Sequence, residues 1–145
     1  MTPPIGILVG SKSALPILEE CTVRREELGV EYELDVRSAH RDPEGVAEYI
    51  TSAPVRGVKV FNWAAGIAAH LAVAARTNLP VIGIPIAAGA LNGSDSLLST
   101  VQMMPSGVPV ATVAVNGAAN AAVLAAQILA LSDPELARRL EGDGS

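Results

Sequence analysis

Apolar positions along the chain fall into five short runs, and each is followed by a stretch whose apolar residues recur at helical spacing. The runs cover 5–9, 32–36, 58–61, 81–86 and 110–115. In the second, Tyr32, Leu34 and Val36 alternate with Glu33 and Asp35, the two-residue period of a half-buried strand. The intervening patterns predict helices over 14–28, 43–52, 68–76, 95–103 and 118–131. Gly29 is placed to stop the first of them and Pro105 to prevent extension of the fourth. Strand–helix alternation at this spacing implies right-handed crossovers and a five-stranded parallel sheet between two helical layers. Ligands of such sheets bind beyond the carboxyl ends of the strands. Those ends carry 10–13, 37–41, 63–70 and 87–93. With no internal repeat or linker, residues 1–145 read as one domain. Its tail, 132–145, opens with Ser132 as a cap and Pro134, and is expected to be partly helical.

Composition narrows the picture. Half of the residues are apolar but only four are aromatic. The core must therefore be built from Ala, Val, Ile and Leu, which suits buried parallel strands under close-packed helices. A net charge of −5 disfavours nucleic acid or an anionic membrane as partner. Lys12, Arg37 and Arg41 can still supply local positive charge to a small anion. Cys21 is the single cysteine, so no internal disulfide forms, and together with the lack of a signal-like N-terminus this points to the cytoplasm. The pattern over 118–131 is apolar on nearly every face, and such a helix is usually buried. Lying last in a small domain, it is expected to be covered by another subunit.

The most informative residues are Ser38-Ala39-His40-Arg41, between the second strand and the second helix. Asp42 can cap that helix, Pro43 suits its first position and Glu44 adds an acidic first turn. A hydroxyl, an imidazole and a guanidinium are thereby placed at a helix entrance, where backbone amides attract anions. An imidazole titrates near neutrality, so His40 can act as acid or base. Gly10-Ser11-Lys12-Ser13 can approach a phosphate, or can be a strand-ending glycine followed by Ser13 as an ordinary cap. It is neither a Walker loop nor a dinucleotide fingerprint. His40 and His70 have no companions at metal-ligand spacing, so no metal site is expected.

Taken in order along the chain, these segments resemble a known family. Gly10-Ser11-Lys12-Ser13, Ser38-Ala39-His40-Arg41, Ala68-Ala69-His70-Leu71, Ala90-Leu91-Asn92-Gly93, Asp95-Ser96-Leu97-Leu98-Ser99 and Val101-Gln102-Met103 are similar to motifs of the carboxyaminoimidazole ribonucleotide mutase (PurE) family. So are Gly107-Val108-Pro109-Val110-Ala111-Thr112 and Gly117-Ala118-Ala119-Asn120-Ala121-Ala122. The resemblance implies a flavodoxin-like α/β/α sandwich assembled as a homo-octamer, with sites between subunits. It implies that Ser11, Ser13, Ser38 and Arg41 hold the phosphate of a ribose 5-phosphate substrate. His40 would carry the proton while a carboxylate moves from nitrogen to a ring carbon. Trp63, Ala65, Gly66, Ile67 and His70 would line the pocket for base and carboxylate, with Gly10 and Ala14 on the sugar side. No cofactor is implied; magnesium enters only if phosphoribosyl pyrophosphate is the substrate.

Departures from the family pattern shape the functional expectation. An aspartate that contacts ribose hydroxyls is Ala14 here, which costs about 1–3 kcal/mol of sugar recognition. A glycine-rich stretch becomes Trp63-Ala64-Ala65-Gly66-Ile67, Ala72-Val73 replaces Pro-Gly, and a polar pair becomes Ala87-Ala88. Phosphate-side residues persist while base-side residues differ. The expectation is a diverged paralogue acting on another purine-like or deazapurine base in specialised nucleoside synthesis. One form of it is phosphoribosyl transfer, with Trp63 stacking on the base. The alternatives are the housekeeping mutase or carboxylase of purine synthesis, and a non-catalytic nucleotide-binding scaffold.

Overall fold

The structure, a computed structural model, describes residues 4–10, 12–38, 41–65, 74–87, 93–102 and 105–142. Five parallel strands form one sheet: β1 (Ile5–Val9), β2 (Tyr32–Val36), β3 (Val60–Ala65), β4 (Val81–Pro85) and β5 (Ala111–Thr112). They lie in the order β2-β1-β3-β4-β5, the flavodoxin-like arrangement, whose order reverses between β1 and β3. The helices described are α1 (Leu15–Leu28), α2 (Pro43–Ser52), α3 (Ser94–Gln102), α4 (Ala118–Ala130) and α5 (Pro134–Gly142).

Strand alternation assigns the two faces. Ile5, Ile7, Val9, Val60, Ala64, Ile82 and Ile84 point to one side, into a core shared with α1, α4 and α5. Leu8, Phe61, Trp63 and Val81 point to the other, where Val46, Tyr49 and Ile50 of α2 cover them. The second face holds three of the four aromatic rings, with Tyr49 and Phe61 edge to face at 6.2 Å. Gly6 makes room for them: a Cβ there would lie 2.7 Å from the Tyr49 hydroxyl.

Several sequence expectations hold and several are corrected. Gly29 ends α1 in the left-handed conformation (φ 70°), and its N–H bonds back to the Arg25 and Glu26 carbonyls. The third strand lies later than the predicted 58–61. Its register is set by β1, with Ile5 opposite Val60 and Val9 opposite Ala64, so the pairing runs on through Trp63 and Ala65. The fifth is only two residues long instead of 110–115, because pairing with β4 is confined to Ile82–Ala111 and Gly83–Thr112 before the chain turns at Asn116. The third predicted helix, 68–76, falls largely outside the described residues. The tail is helical as expected, but Asp133 caps it through the Leu136 amide at 3.1 Å, in place of Ser132.

That tail also corrects the argument for a subunit interface. Ala118, Ala121, Ala122, Ala125, Ala126 and Leu129 of α4 are buried within the single chain, against α1, the sheet and α5. Its apolar character is absorbed by the fold, and α5 covers a flank that the sequence pattern leaves bare.

One core position breaks the rule of apolar burial. Leu18, Cys21, Arg25 and Leu28 form the buried stripe of α1, and Arg25 is 0 % exposed. Asn62 of β3, also buried, turns its amide oxygen to Arg25 Nη2 and its nitrogen to the Phe61 carbonyl at 3.2 Å. The guanidinium lies over the Tyr32 ring at 5.6 Å. Among the described residues Nε and Nη1 make no hydrogen bond to nitrogen or oxygen. Burial lowers the pKa of this guanidinium and raises that of the neighbouring Cys21 thiol. A buried charge with at least three of its five N–H donors unanswered carries an unrecovered desolvation cost.

Two outcomes follow from the core. Arg25→Met keeps the volume and removes the charge, so it is expected to raise the unfolding free energy by about 1–3 kcal/mol, read from the urea midpoint at unchanged slope; a lower midpoint would show that the guanidinium is a net contributor. Trp63, the single tryptophan, should emit at short wavelength and resist iodide quenching. Trp63→Ala should cost about 3–5 kcal/mol.

Candidate active site

The parallel register brings three strand ends together. The Arg37 amide donates to the Val9 carbonyl at 2.9 Å, extending the β1–β2 ladder by one residue, and the Gly10 amide donates to Ala64 O at 3.2 Å. The carboxyl ends of β2, β1 and β3 therefore stand side by side, at the place where the strand order reverses.

From β2 the chain enters α2 through a tightly bonded turn. The Ser38 carbonyl accepts from the Asp42 amide at 2.8 Å, and the Ser38 hydroxyl accepts from the Arg41 amide at 3.1 Å. Asp42 is the N-cap, its carboxylate accepting from the Gly45 amide at 3.0 Å, with Pro43 at the start and Glu44 in the first turn. This is the entrance read from the sequence. Ser38 is half-buried and Arg41 is exposed. Among the described residues no carboxylate lies within ion-pair distance of the Arg41 guanidinium, so its charge is available to an anion.

The first helix begins differently. A single 3₁₀ turn, Lys12–Ala14, precedes α1, and the N-cap position falls on Ala14, where no side chain caps the helix. Ser13 lies one residue too early for the ordinary capping role. The helix dipole favours negative charge at such a helix start. Among the described residues, a Cβ on Gly10 would meet the Ala64 carbonyl at 3.9 Å, an ordinary van der Waals contact.

Other expected site residues are placed less favourably or fall beyond view. Ser11, His40, Gly66, Ile67 and His70 lie outside the described residues, and for Ser13 and Ala65 only the backbone is described. Ala14 is buried and packs into the α1–α4 core, so its methyl group forms wall. Trp63 is not in the loop after β3 but inside the strand, between Leu8 and Gly83, and is 0 % exposed. Its ring has no open face for a base, which removes the stacking role expected for it.

The turn at Asn116 was not foreseen. Its left-handed backbone (φ 57°) lets its amide donate to the Pro85 carbonyl at 2.7 Å while its side-chain oxygen accepts from the Ala87 amide at 2.9 Å. It thus fastens the end of β4, the fourth strand end of the site, to the start of α4. The Asn116-Gly117 dipeptide, a strong turn signal, could have revealed it.

Comparison with known proteins adds a separate line. The AIR carboxylase family profile matches residues 4–144. The chain is 50% identical over 141 residues to an N5-carboxyaminoimidazole ribonucleotide mutase of Thermotoga maritima, covering 96% of this chain and 82% of that protein. It is 51% identical over 145 residues to the Bacillus subtilis protein of the same name, covering 97% and 89%. A crystal structure of Treponema denticola PurE superposes with a TM-score of 0.86 at 28% identity, over 95% of this chain and 87% of that one. These likenesses favour the housekeeping alternative over a changed base specificity, and they give no support to phosphoribosyl transfer.

Arg41→Ala should weaken binding of ribose 5-phosphate by about 100-fold, the scale of a lost charge-assisted contact, measured by titration calorimetry. Unchanged affinity would place the anion elsewhere.

Proposed function

The chain belongs to the AIR carboxylase family, and from that premise we propose that it is a mutase interconverting the N-carboxylated and C-carboxylated forms of aminoimidazole ribonucleotide. The observation that carries this reading is half-identity over nearly the whole chain to proteins named for that reaction, joined to the Ser38–Arg41 turn. In the proposed complex Arg41, Ser38 and the uncapped start of α1, with Ser11 and Ser13, grip the phosphate. The ring then lies toward His40 and the 65–70 segment.

The chemistry asks for one mobile proton. As the N–C bond of the carbamate breaks, carbon dioxide leaves and the nitrogen takes a proton from the His40 imidazolium. Carbon dioxide adds to the ring carbon, and the imidazole recovers the proton that this carbon sheds. Proton and carboxylate both balance, so a neutral-range acid–base group suffices. A phosphate anchor far from the reacting atoms supplies the binding energy that holds the ring in place while the bond is broken.

The proposal extends to a cytoplasmic homo-octamer. Val23, Leu34, Val36, Leu98, Val101 and Leu131 are exposed on the single chain, and apolar surface of this kind supports association. Sedimentation should show one species of eight chains; a monomer would contradict it.

Purified protein given N5-carboxyaminoimidazole ribonucleotide should form the C-carboxylated isomer at about 10 per second, followed by absorbance. His40→Asn should abolish turnover while affinity for ribose 5-phosphate stays within about threefold. Absent isomerisation, together with pyrophosphate release from phosphoribosyl pyrophosphate and a purine-like base, would overturn the reading.

A further inference from the structure

We propose that Arg37 and Asp35 form a positioning pair that fixes the phosphate-anchoring turn, Ser38 to Arg41, in place. This inference rests on the anchor reading above and deepens it. The sequence analysis grouped Arg37 with Lys12 and Arg41 as positive charge available to an anion, and the geometry gives it a different task.

Arg37 is the last residue that β2 shares with β1, its amide donating to Val9 O at 2.9 Å. Its side chain turns away to bridge two elements. Nε donates to Asp35 Oδ2 at 2.9 Å, within the edge strand, and Nη1 donates to the Gly45 carbonyl at 3.0 Å, in the first turn of α2. The turn carrying Ser38 and Arg41 lies between these two fixed points. Glycine leaves room for the second contact: a Cβ at position 45 would lie 2.9 Å from Nη1 and would crowd the Asp42 carboxylate that caps the helix, so both side chains would have to shift. The cap and the brace therefore converge on one residue.

The charge of Arg37 is already answered. Asp35 is its direct partner, and Glu48 and Asp42 face it as well, all three raising its pKa, with the Asp35 hydrogen bond the largest cause. A guanidinium among three carboxylates offers little to an incoming phosphate. Arg41, three residues past Ser38, has no such partner among the described residues. One arginine holds the turn, and the other is left free to use.

Bracing and direct attraction predict opposite signs for one substitution. Asp35→Asn removes a negative charge near the site while weakening the brace. If Arg37 acts by positioning, affinity for ribose 5-phosphate should fall by about tenfold; if it acts by charge, affinity should rise. Arg37→Met should produce a similar fall, and the double variant should be no worse than the poorer single one, since both substitutions dismantle a single unit. Arg37→Lys should fail to rescue, because a point charge cannot span Asp35 and the Gly45 carbonyl together. Titration calorimetry with ribose 5-phosphate on the full chain reads all four, and circular dichroism checks folding. Should Arg37→Met fail to fold, Asp35→Asn decides. Tighter or unchanged binding by Asp35→Asn overturns the proposal. Arg41→Ala, run in parallel, separates the causes: if it destroys binding while Arg37→Met and Asp35→Asn do not, only the positioning role is lost. If it too is without effect, the anchor reading itself has failed.

Discussion

The register of β1 against its two neighbours is the constraint on which the rest depends. All five of its residues are buried, it pairs in parallel with β2 and β3, and it fixes how far each neighbour extends toward the ligand end. Because of that register Arg37 and Ala64 reach the level of Val9 and Gly10. The starts of α1 and α2 then lie beside the end of β3. A slip by one residue would turn the core face of a strand to the other side of the sheet. Ser38 would then no longer follow the end of the β1–β2 ladder.

The two helix entrances are built in complementary ways. At α2 the chain spends its capping on itself: Asp42 answers the Gly45 amide and Ser38 answers Arg41. Among the described residues, the Arg41 side chain there has no carboxylate partner. At α1 the N-cap position falls on Ala14, which has no side chain able to cap, and a 3₁₀ turn leads into the helix. In the proposed complex an anion would lie between an exposed guanidinium on one side and helix dipoles on the other, a combination suited to phosphate.

The two faces of the sheet show how the fold accommodates residues that a simple pattern would exclude. On one, Gly6 gives way to the Tyr49 hydroxyl, and Trp63, opposite Gly83 in the register, is wholly buried. On the other, a buried arginine leans on a buried asparagine and a tyrosine ring. Aromatic bulk that reads as altered ligand chemistry in the sequence is core packing in the structure. For that reason the case for a changed substrate weakens, and the relatives bearing the mutase name weigh more.

By itself the chain specified its layers, three of its five strands closely, the Gly29 stop and the Asp42-capped entrance, since each rests on local periodicity or on the stereochemistry of one or two residues. The motifs also specified kinship, because order and spacing along the chain carry it. Tertiary structure alone decided that β3 runs through Trp63, that α5 covers α4, that Arg25 lies inside and that Arg37 is spent on Asp35 and Gly45. Those outcomes depend on which surfaces meet across tens of residues. Spacing along a chain constrains only neighbours a few positions away, whereas burial and ion pairing are settled by whatever the folded chain brings alongside.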